Sequence, residues 1–186
     1  MSADMTRALL GLGTEVNNAQ TAIIELHRDF GMKASGILAQ AFGVTQRTGE
    51  RWIAWAEGSG SQSSNPFRYR KHHARRDALI QLMRNRRAAN NLRKVRRIKV
   101  GKVRVWSKSP KKGRPQGQMD PRPRTIGTRP VTGVLATARE AAADLVADGE
   151  YERAAAVLDD GLLESYGVPE GTLEIESHLS PPEFEM

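Results

Sequence analysis

Apolar residues recur at helical spacing early in the chain. Val16, Ala19, Ala22, Ile23, Leu26 and Phe30 form one stripe, which predicts a helix over 14–31 with Gly31 as a left-handed cap. A second helix is expected from about Lys33 to Phe42, burying Ile37, Leu38 and Ala41, with Ala34 as a further candidate. Gly43 and Val44 read as a tight turn, and Thr45 as the N-cap of a third helix reaching Trp55 or Glu57. Gly58 to Pro66 then holds six Gly or Ser residues among nine. That composition predicts a module at 14–57 followed by a flexible linker at 58–66.

The pattern from Arg70 to Arg97 is helical and basic. From Ile98 to Trp106 it turns β-branched and alternating, with a change of phase across Gly101 that a bulge or kink would produce. Ser107 to Arg124 is rich in Pro, Gly and cations and is expected to be irregular. Thr125 to Arg129 reads as a short strand. Val134–Ala147 and Glu150–Tyr166 read as two helices with facing Ala and Leu stripes, and the acidic, proline-containing stretch 167–186 as a disordered tail. The expected fold class is mainly α with a small β element: a helix-turn-helix bundle, the linker, a basic segment over 67–124 and a strand-helix-helix or helical-hairpin module over 125–166.

Composition sharpens this picture through the placement of charge. The 186 residues carry a net +8, but 67–129 holds 22 basic against 2 acidic residues, whereas 130–186 holds 2 against 13. A segment at about +20 repels itself, and a polyanion would relieve that repulsion while releasing its own counterions. Nucleic acid is the implied partner. RNA is disfavoured because Phe67, Tyr69 and Trp106 are the only aromatic residues in the basic region, too few for a stacking platform. Cysteine is absent, which excludes thiolate zinc sites and cysteine nucleophiles. No apolar run is long enough for a membrane span, so a cytoplasmic, nucleoid location is expected.

Leu38 to Trp52 matches the bihelical DNA-binding unit. Ala39 is small where a second helix crosses, Gly43 allows the turn, Val44 fills the space beneath it, and Trp52 or Ile53 anchors the recognition helix. Gly49 departs from the pattern, since a branched apolar residue is usual there; a softer helix or an unusually close crossing by a bulky neighbour is expected. Gln46, Arg47, Glu50 and Arg51 should point outward, with Arg and Gln suited to base edges and Thr45 and Thr48 to phosphate. Arg75, Arg76, Arg93, Lys94, Arg96, Arg97, Lys99, Lys111 and Lys112 are the expected backbone clamps.

Three stretches carry a family resemblance: Val44–Trp52, Val103–Pro110 and Leu158–Tyr166. With the order of parts, they make the chain resemble the telomere terminal proteins of linear actinobacterial chromosomes and plasmids, over about Ala34 to Tyr166. The resemblance implies telomeric or other double-stranded DNA as partner, covalent attachment to 5′ ends, and priming of end completion with a DNA polymerase and a telomere-associated protein. Any Mg2+ and deoxynucleotide would come through the polymerase; the chain itself is expected to hold no cofactor. The module at 125–166 also resembles a ribbon-helix-helix unit, which would make the protein a homodimer.

Priming needs an exposed hydroxyl near cations. Thr125 and Thr128 are the leading candidates and Ser107 and Ser109 the weaker ones, flanked by Lys108, Lys111, Lys112, Arg124 and Arg129. The resemblance does not settle the choice, because its acceptor position falls near Met119, which has no hydroxyl. No metal site is expected: His27, His72, His73 and His178 are scattered, and they read as solvated or phosphate-facing. The alternative function is a helix-turn-helix transcriptional regulator or plasmid maintenance protein that binds duplex DNA without covalent chemistry.

Overall fold

The computed structural model describes residues 3–13, 18–68, 73–108, 116–120 and 122–186. Within them the fold is mainly helical, with seven α-helices and one small antiparallel sheet of four strands. The chain divides into two compact units, one formed by residues 14–84 and the other by 1–13 together with 85–186.

The unit of residues 14–84 begins with α2 (Ala19–Phe30), whose N-cap Asn18 accepts through Oδ1 from the N–H groups of Gln20 and Thr21. Its buried stripe of Ala22, Ile23 and Leu26 meets Leu38 of α3 (Lys33–Phe42) and Trp52 and Ile53 of α4 (Gln46–Ala56). Gly43, at φ 60° and ψ 37°, ends α3 in the left-handed region. The module does not stop at residue 57. Leu79 and Met83, from the first half of α5 (His73–Lys94), complete its core.

Nor is 58–66 a loose linker. The N–H groups of Ser59 and Gly60 both donate to the Ala54 carbonyl, Gln62–Ser64 form a single 3₁₀ turn, and Pro66 is buried. Phe67 meets Trp55 edge-on at 5.9 Å. Gly60 has a packing reason, since a Cβ there would lie 2.6 Å from the Trp55 backbone nitrogen. A composition typical of linkers here serves close backbone approach.

In the other unit, α1 (Ala3–Gly11) buries Met5 and Leu9 completely and leaves Leu10 exposed. The sheet is built around β1 (Arg97–Ser107), which pairs along one edge with β2 (Arg124–Pro130) and along the other with β3 (Leu173–His178) and β4 (Glu183–Glu185). Helices α6 (Val134–Ala147) and α7 (Tyr151–Ser165) form a tight hairpin, in which a Cβ on Gly161 would sit 2.5 Å from that of Ala138.

Two expectations fail in this unit. The stretch 167–186 is not a disordered tail. Leu173 and Ile175 are buried, Phe184 packs on the core, and the carboxylates between them suit a basic strand, as in the 3.0 Å Lys99–Glu183 pair. The strand at 124–130 pairs with β1 of its own chain, whereas a ribbon-helix-helix unit pairs it with a second chain. The change of phase near Gly101 is present: Ile98 and Val100 are buried, then Val103 and Val105. No bulge causes it on the β2 side, where the register runs unbroken from Arg97↔Pro130 to Val103↔Arg124. The strand buries one face in its first half and the other in its second. A register shift does occur opposite β3, between Arg104 and Val105.

Candidate nucleic-acid interface

Helix α4 presents two chemically distinct faces. Trp52, Ile53, Trp55 and Ala56 are buried, and Trp52 meets the Phe42 ring edge-on at 5.7 Å. Gln46, Arg47, Glu50 and Arg51 are exposed, as the helix-turn-helix reading expects. Arg47 and Arg51 make no ion pair among the described residues, so both guanidinium forks are unspent. Thr45 and Thr48 are committed to the cap: the Thr48 N–H donates to Thr45 Oγ1 at 3.3 Å, and the two hydroxyls lie 3.0 Å apart.

Gly49 explains itself in this setting. It is buried where α4 crosses α3, and a Cβ there would stand 2.5 Å from the Ser35 carbonyl oxygen. The crossing is close because backbone meets backbone, with no bulky neighbour involved.

The expected phosphate clamps separate into free and engaged groups. The Arg75 guanidinium lies over the Trp52 ring at 5.3 Å, within the same unit as α4. Arg76 pairs with its neighbour Asp77 at 3.3 Å. In the other unit Arg93 is held by Glu140 at 3.4 Å and Asp144 at 2.5 Å, and Lys99 by Glu183, so neither is an uncommitted clamp. Lys94, Arg96 and Arg97 are exposed. Lys111 and Lys112 lie outside the described residues, as does the side chain of His73 and all of His72. Sequence reasoning missed Lys102 and Arg104, both exposed on β1 and without an ion pair among the described residues. Their alternation with Val103 and Val105 was the available signal.

The hydroxyl candidates also divide. Ser107 is 2% exposed at the end of β1, which removes it as an acceptor. Ser109 lies outside the described residues. Thr125 and Thr128 are exposed, but on the hydrogen-bonded strand β2 and not on a loop. Thr125 stands opposite Lys102 and Thr128 opposite Lys99, so each shares a face with a lysine. The other expected cations among the described residues are occupied: Arg124 pairs with the buried Asp120 at 2.8 Å, Arg129 lies over the Tyr166 ring at 4.9 Å, and Lys108 reaches Asp160 and Glu174 at 3.5 and 3.9 Å.

Two histidines stand against carboxylates, and one of them is buried rather than solvated. His27 Nδ1 lies 2.5 Å from Glu57 Oε1. His178 is buried, with Nε2 at 2.8 Å from Asp159 Oδ1 and Nδ1 without a hydrogen-bond partner among the described residues. Burial raises the Asp159 carboxyl above its ordinary range; the His178 hydrogen bond and charge oppose that rise, and Asp160 adds to it. Reading 167–186 as solvated hid this pair.

Among the described residues no helix is long and apolar enough to cross a membrane. No family model matches the chain, and no curated protein or solved structure matches it either.

Proposed function

We propose that this chain is a DNA-binding terminal protein, whose α4 enters the major groove of duplex DNA and whose free cations hold phosphates. The observation that carries the reading is the exposed row Gln46, Arg47, Glu50 and Arg51 on a helix anchored by Trp52 and Ile53. Arg offers a bidentate fork to guanine O6 and N7, and Gln to adenine N6 and N7. Phosphate neutralisation by Arg75, Lys94, Arg96, Arg97, Lys102 and Arg104 would add affinity without sequence preference.

In the terminal-protein setting that the resemblance implies, Thr125 is the acceptor. Its Oγ1 would attack the α-phosphorus of a deoxynucleoside triphosphate and form a phosphodiester to protein. Pyrophosphate leaves, and the hydroxyl proton passes to a base in the partner polymerase, which also supplies Mg2+. Lys102 beside Thr125 supports this choice, because its charge would draw the triphosphate towards the hydroxyl.

A second reading, a duplex-binding regulator without covalent chemistry, is favoured by a different observation. Thr125 and Thr128 are set in a paired strand, which restricts their approach to an in-line displacement. Titration of fluorescent duplex with wild type and with Arg47→Glu and Arg51→Glu tests the shared part of both readings. A salt-sensitive complex that either reversal weakens at least tenfold is expected. Binding indifferent to salt and to both reversals would refute it.

A further inference from the structure

A pocket of about 340 Å³ opens beside α4, between that helix and the turn at 61–66. Thr48, Arg51 and Trp52 form one wall, Ser64, Asn65 and Pro66 another, and Arg75 closes the side. Among the described residues no acidic side chain lines it. A second groove of the same volume, lined by Gln46, Glu50, Ile53 and Glu57, carries two carboxylates, so two grooves along one helix differ in sign.

The charged pocket is built. The turn that walls it is fixed by the buried Pro66, by Gly60 against the Trp55 backbone, and by Asn65 Oδ1 accepting from the Phe67 N–H at 2.8 Å. Arg75 is placed by the Trp52 ring beneath it. What remains unspent is a set of donors. Among the described residues, the guanidinium groups of Arg51 and Arg75, Ser64 Oγ and Asn65 Nδ2 have no acceptor. Donors lining one pocket without acceptors, two of them cationic, suit an anion with several oxygens, and among the described residues the wall offers no carboxylate in its place.

We propose that this pocket binds the phosphate of a nucleotide in the DNA that α4 reads. The inference rests on the DNA-binding reading and deepens it. It assigns Ser64, Asn65 and Arg75 to backbone capture, and it orients the complex. The phosphate strand runs on the Arg51 and Arg75 side of α4, away from the groove lined by Glu50 and Glu57, where like charges would meet. The phosphate can belong to the duplex backbone or to an unpaired nucleotide at a DNA end, and the chemistry is the same for both.

The test uses the full chain and two probes: a blunt duplex, and the same duplex carrying a short unpaired 3′ extension. Arg75→Gln and Ser64→Glu are each expected to weaken binding about tenfold, since a charge-assisted hydrogen bond is lost or opposed. Arg75→Gln should also lower the salt exponent by about 0.9, the loss of one cation–phosphate contact, and Ser64→Glu should lower it through the opposing charge that it adds. Arg75→Lys should keep the exponent while losing affinity, because the charge stays and the fork is gone. Ser64→Glu changes only a turn side chain without a hydrogen-bond partner among the described residues, so it separates pocket chemistry from misfolding, which thermal unfolding also monitors. Equal losses on both probes identify a backbone phosphodiester, and losses confined to the extended probe identify the unpaired nucleotide. If Arg75→Gln and Ser64→Glu bind as wild type while Arg47→Glu does not, the pocket assignment is overturned and the α4 reading survives. If wild type forms no salt-sensitive complex, both fall together.

Discussion

Gly49 of α4 rests directly on the backbone of Ser35 in α3, so closely that a methyl group at residue 49 would lie 2.5 Å from the Ser35 carbonyl oxygen. In an open helix, replacing Gly by Ala would stabilise by about 1 kcal/mol. Here the neighbour is main chain and cannot swing aside, so overpacking wins. Gly49→Ala is expected to destabilise by about 1–3 kcal/mol in chemical denaturation, and Gly49→Val by more. An increase in stability for the alanine variant would show that the crossing is looser than described.

The acceptor assignment separates two threonines three residues apart. With labelled deoxynucleotide, end-bearing DNA and a polymerase-containing extract, wild type should retain label after denaturation. Thr125→Val should abolish that label, and Thr128→Val should leave it, since Thr128 faces Lys99, already paired with Glu183. Label surviving in Thr125→Val but lost in Thr128→Val would reverse the assignment. No label on any variant, wild type included, would favour the non-covalent regulator.

Asp159 and His178 predict a pH dependence of stability. Folded Asp159 has a raised pKa, so between the ordinary carboxyl value of 3.8 and the raised value the folded state binds more protons than the unfolded chain. Stability contributed by this group therefore falls as pH rises through that window. Asn keeps a carbonyl oxygen for His178 and has no proton to lose. The stability of wild type relative to Asp159→Asn should accordingly decrease as pH climbs from 3.8 upward, measured by denaturant titration at several pH values. A difference that grows with pH would contradict the desolvated carboxyl.

Removing residues 168–186 should unfold the unit that contains β1, while a truly disordered tail would be dispensable. The deletion strips β1 of β3 and β4 and removes buried Leu173 and Ile175. Loss of each large buried aliphatic side chain costs about 2–5 kcal/mol, comparable in sum to the stability of a whole domain. Circular dichroism of the truncated chain, compared with wild type, provides the check.

Much of this was legible in the sequence because helix signals are local. The α3 and α6 limits, the Thr45 cap, the Gly43 turn and the outward row on α4 follow from spacing and cap chemistry within a few residues. What was not legible depends on distant partners. Glu174 and Glu183 look like part of a solvated run until Lys108 and Lys99 are seen to reach them from β1 and the residue after it. Gly58 to Pro66 looks loose until Trp55 is seen to require a neighbour without a side chain. Ser107 looks available because its burial comes from strands folded around it, and nothing beside it in the chain reports that. Arg93 and Lys99 look like clamps for the same reason, since the carboxylates that occupy them lie 47 or more positions away, at Glu140, Asp144 and Glu183.

The sheet unit is assembled from both sides of the helix-turn-helix unit: Met5 and Leu9 come from before it, and Phe184 from nearly the last residue. A ribosome therefore delivers the components of the two units in a fixed temporal order. The residue 14–84 unit has all its side chains in hand early, whereas β1 must wait, half-paired, until the closing strand emerges. A nascent chain stalled short of that point would hold a finished 14–84 unit and, in the other unit, an exposed strand edge, the kind of surface that recruits chaperones or other unfinished copies.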